Sequence, residues 1–396
     1  MPLILGIDTG GTYTDGVLVD GGRGLVVGKA KALTTGDDLS VGIRNCLERL
    51  AITDYESIKL VSVSTTLATN AIVEGKGCEA GLLVIGQLPD GKLPAKHMQV
   101  LRGRFDIRGK MLSSLDKEEC LSSIELLRGK VDAVAISGYA SVRNPSHELA
   151  VKSMVRQILG VPVVCAHELT SSLGFYDRTV TALLNARLIP LIGDLVCAVQ
   201  NVLAEKAIKA PIMIVKGDGS VMNAEAAREK PIETILSGPA ASVNGGIFLT
   251  GAADALMLDM GGTTTDIANV ENGKVRIQKE GARVGGWLTR VNSAEIYTYG
   301  IGGDSYLRLA AGGKLRAGPR KVCPLSVAGC HYPYLAAELK AFGKPRGYEL
   351  VRYSECDCFK LLQDPGGMEL SPADQRAADM LRTGPHSLFC LAEAAG

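Results

Sequence analysis

An eight-residue phrase occurs twice in this chain, as Asp8-Thr9-Gly10-Gly11-Thr12-Tyr13-Thr14-Asp15 and as Asp259-Met260-Gly261-Gly262-Thr263-Thr264-Thr265-Asp266. The copies share Asp, Gly, Gly, Thr, Thr and Asp at the same offsets. Each follows a short apolar run, Leu3 to Ile7 and Ala255 to Leu258, and each leads into a second apolar run and a Gly turn, at Gly21-Gly22 and at Gly273. One strand-turn-strand unit is therefore used twice, and the fold must place it in both halves.

The glycines give the turn its chemistry. Two consecutive Gly after a strand allow backbone N–H groups to converge with no Cβ to keep an anion away. A phosphate fits such a turn. A carboxylate at the strand end, Asp8 or Asp259, suits a hydrated Mg²⁺, which takes one or two carboxylates together with phosphate oxygens and water. A single Gly-Gly hairpin is more often a plain structural turn. Two copies in opposite halves of one chain point to a nucleotide held between two similar lobes.

At 396 residues the chain is long enough for two domains. It is 46% hydrophobic and 21% charged with a net charge of +1, which leaves no electrostatic footprint for nucleic acid or an anionic membrane. Met1 to Gly6 lacks the basic start and apolar core of a signal peptide, and a cytoplasmic location is expected. The ten cysteines then read as reduced thiols. Cys323, Cys330, His331, Cys356 and Cys358 offer zinc-type ligands, but their spacing matches no two-pair knuckle, and ordinary thiols are the simpler reading.

Along the chain, Leu3–Asp8, Gly16–Asp20 and Leu25–Leu33 predict a three-stranded meander, Asp37 or Asp38 starts a helix to about Leu50, and Leu60–Ser64 is the next strand. That strand ends in Ser64-Thr65-Thr66, with Thr69-Asn70 following, so its hydroxyls either cap a helix or line a cleft. The basic stretch from Gly86 to Lys110 has little periodicity and reads as a solvated loop, with a lid over an acidic ligand as the alternative. Tyr176–Leu188 predicts a helix whose Arg178, Thr181 and Asn185 share one face, either its wet side or a cleft wall. Lys216–Ser220 is a Gly-rich turn that lets a backbone approach a base or ribose, or simply joins strand to helix. Ser237-Gly238-Pro239 starts a helix with small residues and suits a hinge, and Gly300–Ser305 is expected to precede a helix to about Ala311. After Gly313 the signals weaken, with a last helical pattern over Pro372–Ala395, and the second lobe is expected to be shortened or truncated.

No Gly-x4-Gly-Lys-Ser/Thr loop is present. The paired turns resemble the phosphate loops of the actin-like ATPase superfamily. Gly6–Asp15, Ser64–Asn70, Asp177–Leu188, Ser237–Pro239, Asp259–Asp266 and Gly300–Ser305 together resemble the ATP-binding A subunit of the ATP-dependent hydantoinase/oxoprolinase family. Where that family has His-Gly before the Thr-Thr, this chain has Val63-Ser64.

The resemblance implies an α/β, actin-like (ribonuclease H-like) duplicated two-lobe ATPase fold, with lobes over 1–175 and 176–396. It implies ATP and Mg²⁺, the metal beside Asp8 and Asp259, and catalytic roles for Asp8, Asp15, Asp259 and Asp266. Gly10, Gly11, Thr12, Thr14, Gly238, Gly261, Gly262, Thr263, Thr264, Gly302 and Gly303 would then bind the nucleotide. Thr65, Thr66, Asn70 and Arg178 would face substrate. The implied chemistry is opening of a cyclic amide of hydantoin or 5-oxoproline type through carbonyl phosphorylation, with a separate B-type subunit. The same fold also serves small-molecule kinases and ATP switches such as reactivating chaperones, which remain alternative expectations.

Overall fold

The computed structural model describes residues 2–310, 313–341, 357–366 and 369–396. They divide into two compact units, one of Met1–Met257 with Ala268–Ile296 and the other of Leu258–Ile267 with Tyr297–Gly396.

The first unit is built on a six-stranded and a four-stranded sheet. Strands β1 (Leu3–Thr9), β2 (Tyr13–Asp20) and β3 (Leu25–Leu33) form the expected meander. The helix α1 (Leu39–Arg49) follows, its N-terminus capped by the Asp38 carboxylate accepting from Ser40 N. Strand β4 (Ile58–Thr65) then runs parallel to β1, and helix α2 (Leu67–Val73) leaves its end.

The second sheet is built from β5 (Ala80–Ile85) and β6 (His97–Leu101), and a small hairpin of β7 (Arg104–Phe105) and β8 (Met111–Ser113) follows them. Next come α3 (Lys117–Glu125), β9 (Ala133–Gly138), α4 (Ser146–Leu159), β10 (Val163–Cys165) and the short α5 (Ala166–Leu169). All four strands are parallel in the order β10-β9-β5-β6. Every residue of β5 and β9 is buried, because helices cover both faces, and this is why both read as unbroken runs of small and apolar residues.

Helix α6 (Phe175–Glu205) is the shared wall. Val180, Leu184, Leu188 and Ile192 join the core of the first sheet with Leu5, Ile7, Val61 and Val63, while Ala182, Leu183 and Ala186 pack on Leu82, Val84 and Ala135 of the second. A helix that is apolar all round is a buried helix. By length and composition α6 is apolar enough to cross a membrane, yet its apolar faces are occupied by the two sheets. The far side of the second sheet packs on α3 and α4 through Cys120, Ile124, Val151 and Val155.

The chain returns to the first sheet with β11 (Ile212–Val215), parallel to β4, and β12 (Val221–Asn223), followed by α7 (Ala224–Glu229) and α8 (Ser237–Thr250). The first sheet thus has the order β12-β11-β4-β1-β2-β3. Lys216–Ser220 is the β11–β12 hairpin turn, with Lys216 paired to Glu233 at 2.8 Å. A Cβ on Gly217 would lie 2.2 Å from Ile235 O, so close backbone packing accounts for that glycine.

Strands β13 (Ala255–Met260) and β14 (Thr265–Glu271) carry the second copy of the repeated phrase, and β15 (Lys274–Val275) pairs with the end of β14. Two sequence expectations change in the second unit. Gly300–Ser305 leads into a strand, Ser305–Ala310, paired antiparallel with Lys314–Lys321, where a helix was expected. The expected helix over Pro372–Ala395 is two, Pro372–Thr383 and Leu388–Ala395. Gly384 separates them at φ +149°, in a place where a Cβ would fall 2.2 Å from the Tyr334 hydroxyl.

Candidate active site

In the first unit, β1 and β2 pair Asp8 with Asp15 and Thr9 with Thr14, and the turn between them is closed by Gly10 N donating to Tyr13 O at 3.0 Å. Two helix N-termini arrive beside it. Thr66 N, at the start of α2, donates to Thr9 O at 3.2 Å, and a Cβ on Gly11 would sit 3.2 Å from the Asn70 side-chain nitrogen. The Ser237 hydroxyl at the start of α8 donates to Thr65 O at 2.9 Å, and a Cβ on Gly238 would meet the Thr66 methyl at 3.1 Å. Strand end, Gly turn and two helix starts therefore converge, the arrangement that places N–H groups and positive dipole ends around an anion.

Beside them lies a cavity of about 700 Å³, within the range of small-molecule sites, lined by Asp8, Asp15, Lys29, Lys31, Ser64 and Gly238 among others. Asp8 is half-buried, and its Oδ1 accepts from the Ser64 hydroxyl at 2.6 Å. Asp15 is held by Lys31 at 3.0 Å. The site thus combines carboxylates, which suit a hard cation, with ammonium groups, which suit phosphate. Sequence reasoning missed Lys29 and Lys31. Their alternation on β3 was the available signal, since it sends both to one face opposite β2.

The second turn repeats the first. Gly261 N donates to Thr264 O at 2.8 Å, the same pair of offsets as Gly10 and Tyr13. Here the loop Gly300–Ser305 backs the turn, with Gly303 N donating to Gly261 O at 3.0 Å and Asp304 N to Gly262 O at 2.7 Å. Lys321 Nζ donates to Thr263 O at 2.6 Å and pairs with Asp304 at 2.8 Å. Neither Lys321 nor a role for Asp304 was legible beforehand. Asp259 is exposed, while Asp266 is half-buried and accepts from the Thr298 hydroxyl at 2.5 Å. Burial pushes the Asp266 carboxyl above the usual range, Thr298 opposes this, and the negative charge of Asp259 adds to it. Two carboxylates that repel one another are the oxygen-rich donor set a divalent cation relieves.

Several expected site residues are placed differently. Thr12 is exposed in its turn, but Thr14 is fully buried and shares a hydrogen bond with the Thr34 hydroxyl at 2.9 Å, so it is not offered to a phosphate. Thr65 is buried too, its hydroxyl donating to Thr9 O and accepting from Leu67 N. Thr66 and Asn70 remain at the surface of the turn, bonded to each other at 3.3 Å. The stripe on α6 is not a wet wall. Arg178 is fully buried, and its guanidinium donates to the carbonyls of Ser172, Gly138 and Tyr139. Thr181 accepts from Arg290 N, and Asn185 holds Glu229 O and Ile232 N. These side chains satisfy loop backbone, which explains polar residues on a buried helix.

Of the C-terminal metal-ligand types, Cys323 and Cys330 are exposed, Cys358 is half-buried and Cys356 lies outside the described residues. Among the described residues, the grouping of such types is Glu148, Cys165 and His167. Glu148 there accepts from Gly138 N, His167 N and the His167 ring, and burial pushes the Cys165 thiol strongly up. That is a satisfied hydrogen-bond network around a protonated thiol.

The sequence matches the Hydantoinase/oxoprolinase N-terminal region over residues 4–159 and Hydantoinase/oxoprolinase over residues 178–332. It is 33% identical over 355 residues to caprolactamase subunit alpha of Pseudomonas jessenii, and 28% identical over 373 residues to acetophenone carboxylase gamma subunit of Aromatoleum aromaticum. These alignments take in 80% and 82% of this chain and 50% of each relative, so the chain spans about half the length of the curated relatives it matches. Among solved structures, the ATP-dependent caprolactamase of P. jessenii superposes with a TM-score of 0.66 at 31% identity, over 80% of this chain and 51% of that one. Nucleotide-free acetone carboxylase superposes at 0.67 with 21% identity, over 80% and 51%, which supports the fold. The fold is thus the expected α/β, actin-like one, and the chain belongs to the hydantoinase/oxoprolinase family.

Proposed function

We propose that this chain is the ATP-binding part of an enzyme that activates the carbonyl of a small cyclic amide by phosphorylation so that water can open the ring. The observation that carries the reading is the twice-built turn, with the same internal hydrogen bond in both copies, in a chain 33% identical to a caprolactamase subunit. Gly11 and Thr12, with Gly262, Thr263 and Thr264, donate to phosphate oxygens, Gly10 and Gly261 shape the two turns through their own internal N–H bonds, and Gly238, Gly302 and Gly303 let backbone approach the nucleotide. Asp8 and Asp259 would hold Mg²⁺, which would supply positive charge to offset that building on the phosphates. Asp15 and Asp266 orient the attacking oxygen. Lys29 and Lys31 add positive charge beside Asp8. Thr66 and Asn70 face the substrate. Catalysis of this kind depends mainly on positioning and electrostatics.

A separate B-type subunit is expected to share the ring-opening step, in a cytoplasmic complex. The test is ATP consumption by the chain co-expressed with such a subunit, with hydantoin, 5-oxoproline and ε-caprolactam as substrates. Ring opening coupled one-to-one to ADP formation supports the reading. A stable phosphorylated product without ring opening overturns it in favour of a kinase, and ATP hydrolysis indifferent to every substrate overturns it in favour of a switch.

A further inference from the structure

A second cavity, of about 430 Å³, lies in the first unit and shares no lining residue with the cleft that holds Asp8. It opens where β5 and β9 end, at Ile85-Gly86 and Gly138-Tyr139. In the order β10-β9-β5-β6 the chain runs outward from β5 to β6 on one side and from β9 to β10 on the other, so the β5–β9 border is where the winding reverses. In open parallel sheets ligands bind at that border, outside the carboxyl ends of the strands. The basic stretch read from sequence as a loop supplies the outer wall, as the β7–β8 hairpin.

At the floor stands His147, the second residue of α4. It is only 6% exposed, and neither ring nitrogen has a hydrogen-bond partner within the protein. Its ring lies against Phe105, centroids 4.1 Å apart. Burial lowers its affinity for a proton, which leaves a neutral imidazole with one donor and one acceptor. A buried imidazole with two unmet nitrogens is costly unless something enters to meet them.

The surroundings set the charge of what can enter. The Glu148 carboxylate lines the cavity and is itself buried, bonded to Gly138 N at 2.7 Å, so an anion at the floor is repelled. The Arg178 guanidinium behind Gly138 interacts with the Glu148 charge, but it is fully buried and its terminal NH groups are spent on backbone carbonyls. Ile85, Phe105, Tyr139 and Leu112 make most of the remaining wall apolar, and the hairpin adds one charge of each sign, Arg104, which is exposed to solvent, and Asp106.

We propose that this cavity is a second small-molecule site, taking a compact uncharged molecule with an apolar ring and one amide or hydroxyl group, which bonds to His147. The site is independent of the nucleotide reading.

The experiment uses the full chain labelled with ¹³C-histidine, titrated with 2-piperidinone, cyclohexanol and cyclohexanecarboxylate while the ring signals of its five histidines are followed. The His147 signal is identified by its loss in His147→Phe, which keeps the ring stacked on Phe105. A saturating shift confined to the His147 signal is expected with at least one uncharged probe at up to about 10 mM, a concentration that fills most of a site with Kd near 1 mM. The charged probe should give no such shift. Ile107→Trp, at a rim position that is 64% exposed and so tolerant of substitution, should block the mouth and abolish the shift. If His147→Phe does not fold, His147→Gln supplies the assignment, and Ile107→Trp carries the test. No saturable shift with either uncharged probe, an equal shift with the carboxylate, or a shift that survives Ile107→Trp overturns the proposal.

Discussion

Adjacent glycines behind the second phosphate turn have opposite sensitivities, and replacing each with Ala separates them. A Cβ on Gly302 would lie 2.6 Å from Gly262 O and 2.7 Å from the carbonyl carbons of Gly262 and Thr263, all backbone atoms that no rotamer change can move. A Cβ on Gly303 would find its nearest neighbour, Gly261 O, at 3.8 Å, an ordinary contact. Relief of the first clash requires the loop to withdraw from the turn. That stretches Gly303 N to Gly261 O, now 3.0 Å, and Asp304 N to Gly262 O, now 2.7 Å. Overpacking costs about 1–3 kcal/mol, and each backbone bond contributes about 1 kcal/mol net. Gly302→Ala should therefore cost about 3 kcal/mol locally and Gly303→Ala less than about 1 kcal/mol. Amide hydrogen exchange over residues 259–266 and 300–305 reads this directly, since about 3 kcal/mol corresponds to roughly a hundredfold faster exchange from the opened state. Unchanged protection in Gly302→Ala, or equal loss in both variants, would refute the packing argument.

Further outcomes follow from single contacts. Ser64→Ala removes the hydroxyl that donates to Asp8 at 2.6 Å; discounted for the partial exposure of Asp8, a hydrogen bond to a charged group predicts roughly five- to tenfold weaker Mg-ATP binding by calorimetry, with little change in Tm. Arg178→Met leaves the carbonyls of Gly138, Tyr139 and Ser172 without their donor and should lower stability by about 3 kcal/mol or more in thermal unfolding, whereas a residue serving substrate alone would leave it unchanged. Asp266 has its pKa raised on folding, so its protonated form is favoured in the folded state. Its contribution is therefore fully present below the ordinary carboxylate pKa and is lost as pH rises through the folded value. Asp266→Asn should flatten that part of the stability–pH curve, and an unchanged curve would contradict the burial argument.

The two turns were legible because consecutive glycines after an apolar strand leave few alternatives. Helix α6 was readable over Tyr176–Leu188, the N-terminal part of Phe175–Glu205, but not in role, since a polar stripe looks the same whether it meets water or loop carbonyls. The carbonyls that Arg178 bonds come from residues up to 40 positions away. Ser305–Ala310 has residues that tolerate a helix, and pairing with Lys314–Lys321 overrides that weak preference. Thr14 could not be told from Thr12, because facing inward or outward is settled by β2–β3 register, which pairs Thr14 with Ala32 and brings Thr34 alongside. The β7–β8 hairpin is too short to leave a periodic pattern, and its cavity exists only once β5 and β9 are side by side.

The most direct test of the central claim is calorimetric titration of the full chain with Mg-ATP, compared with Asp8→Asn and Asp259→Asn. One nucleotide per chain is expected, with each substitution alone weakening the affinity by at least about tenfold, or about 1.4 kcal/mol, while leaving the fold intact. Full affinity retained when either carboxylate is removed would contradict the claim that both copies of the turn serve the nucleotide.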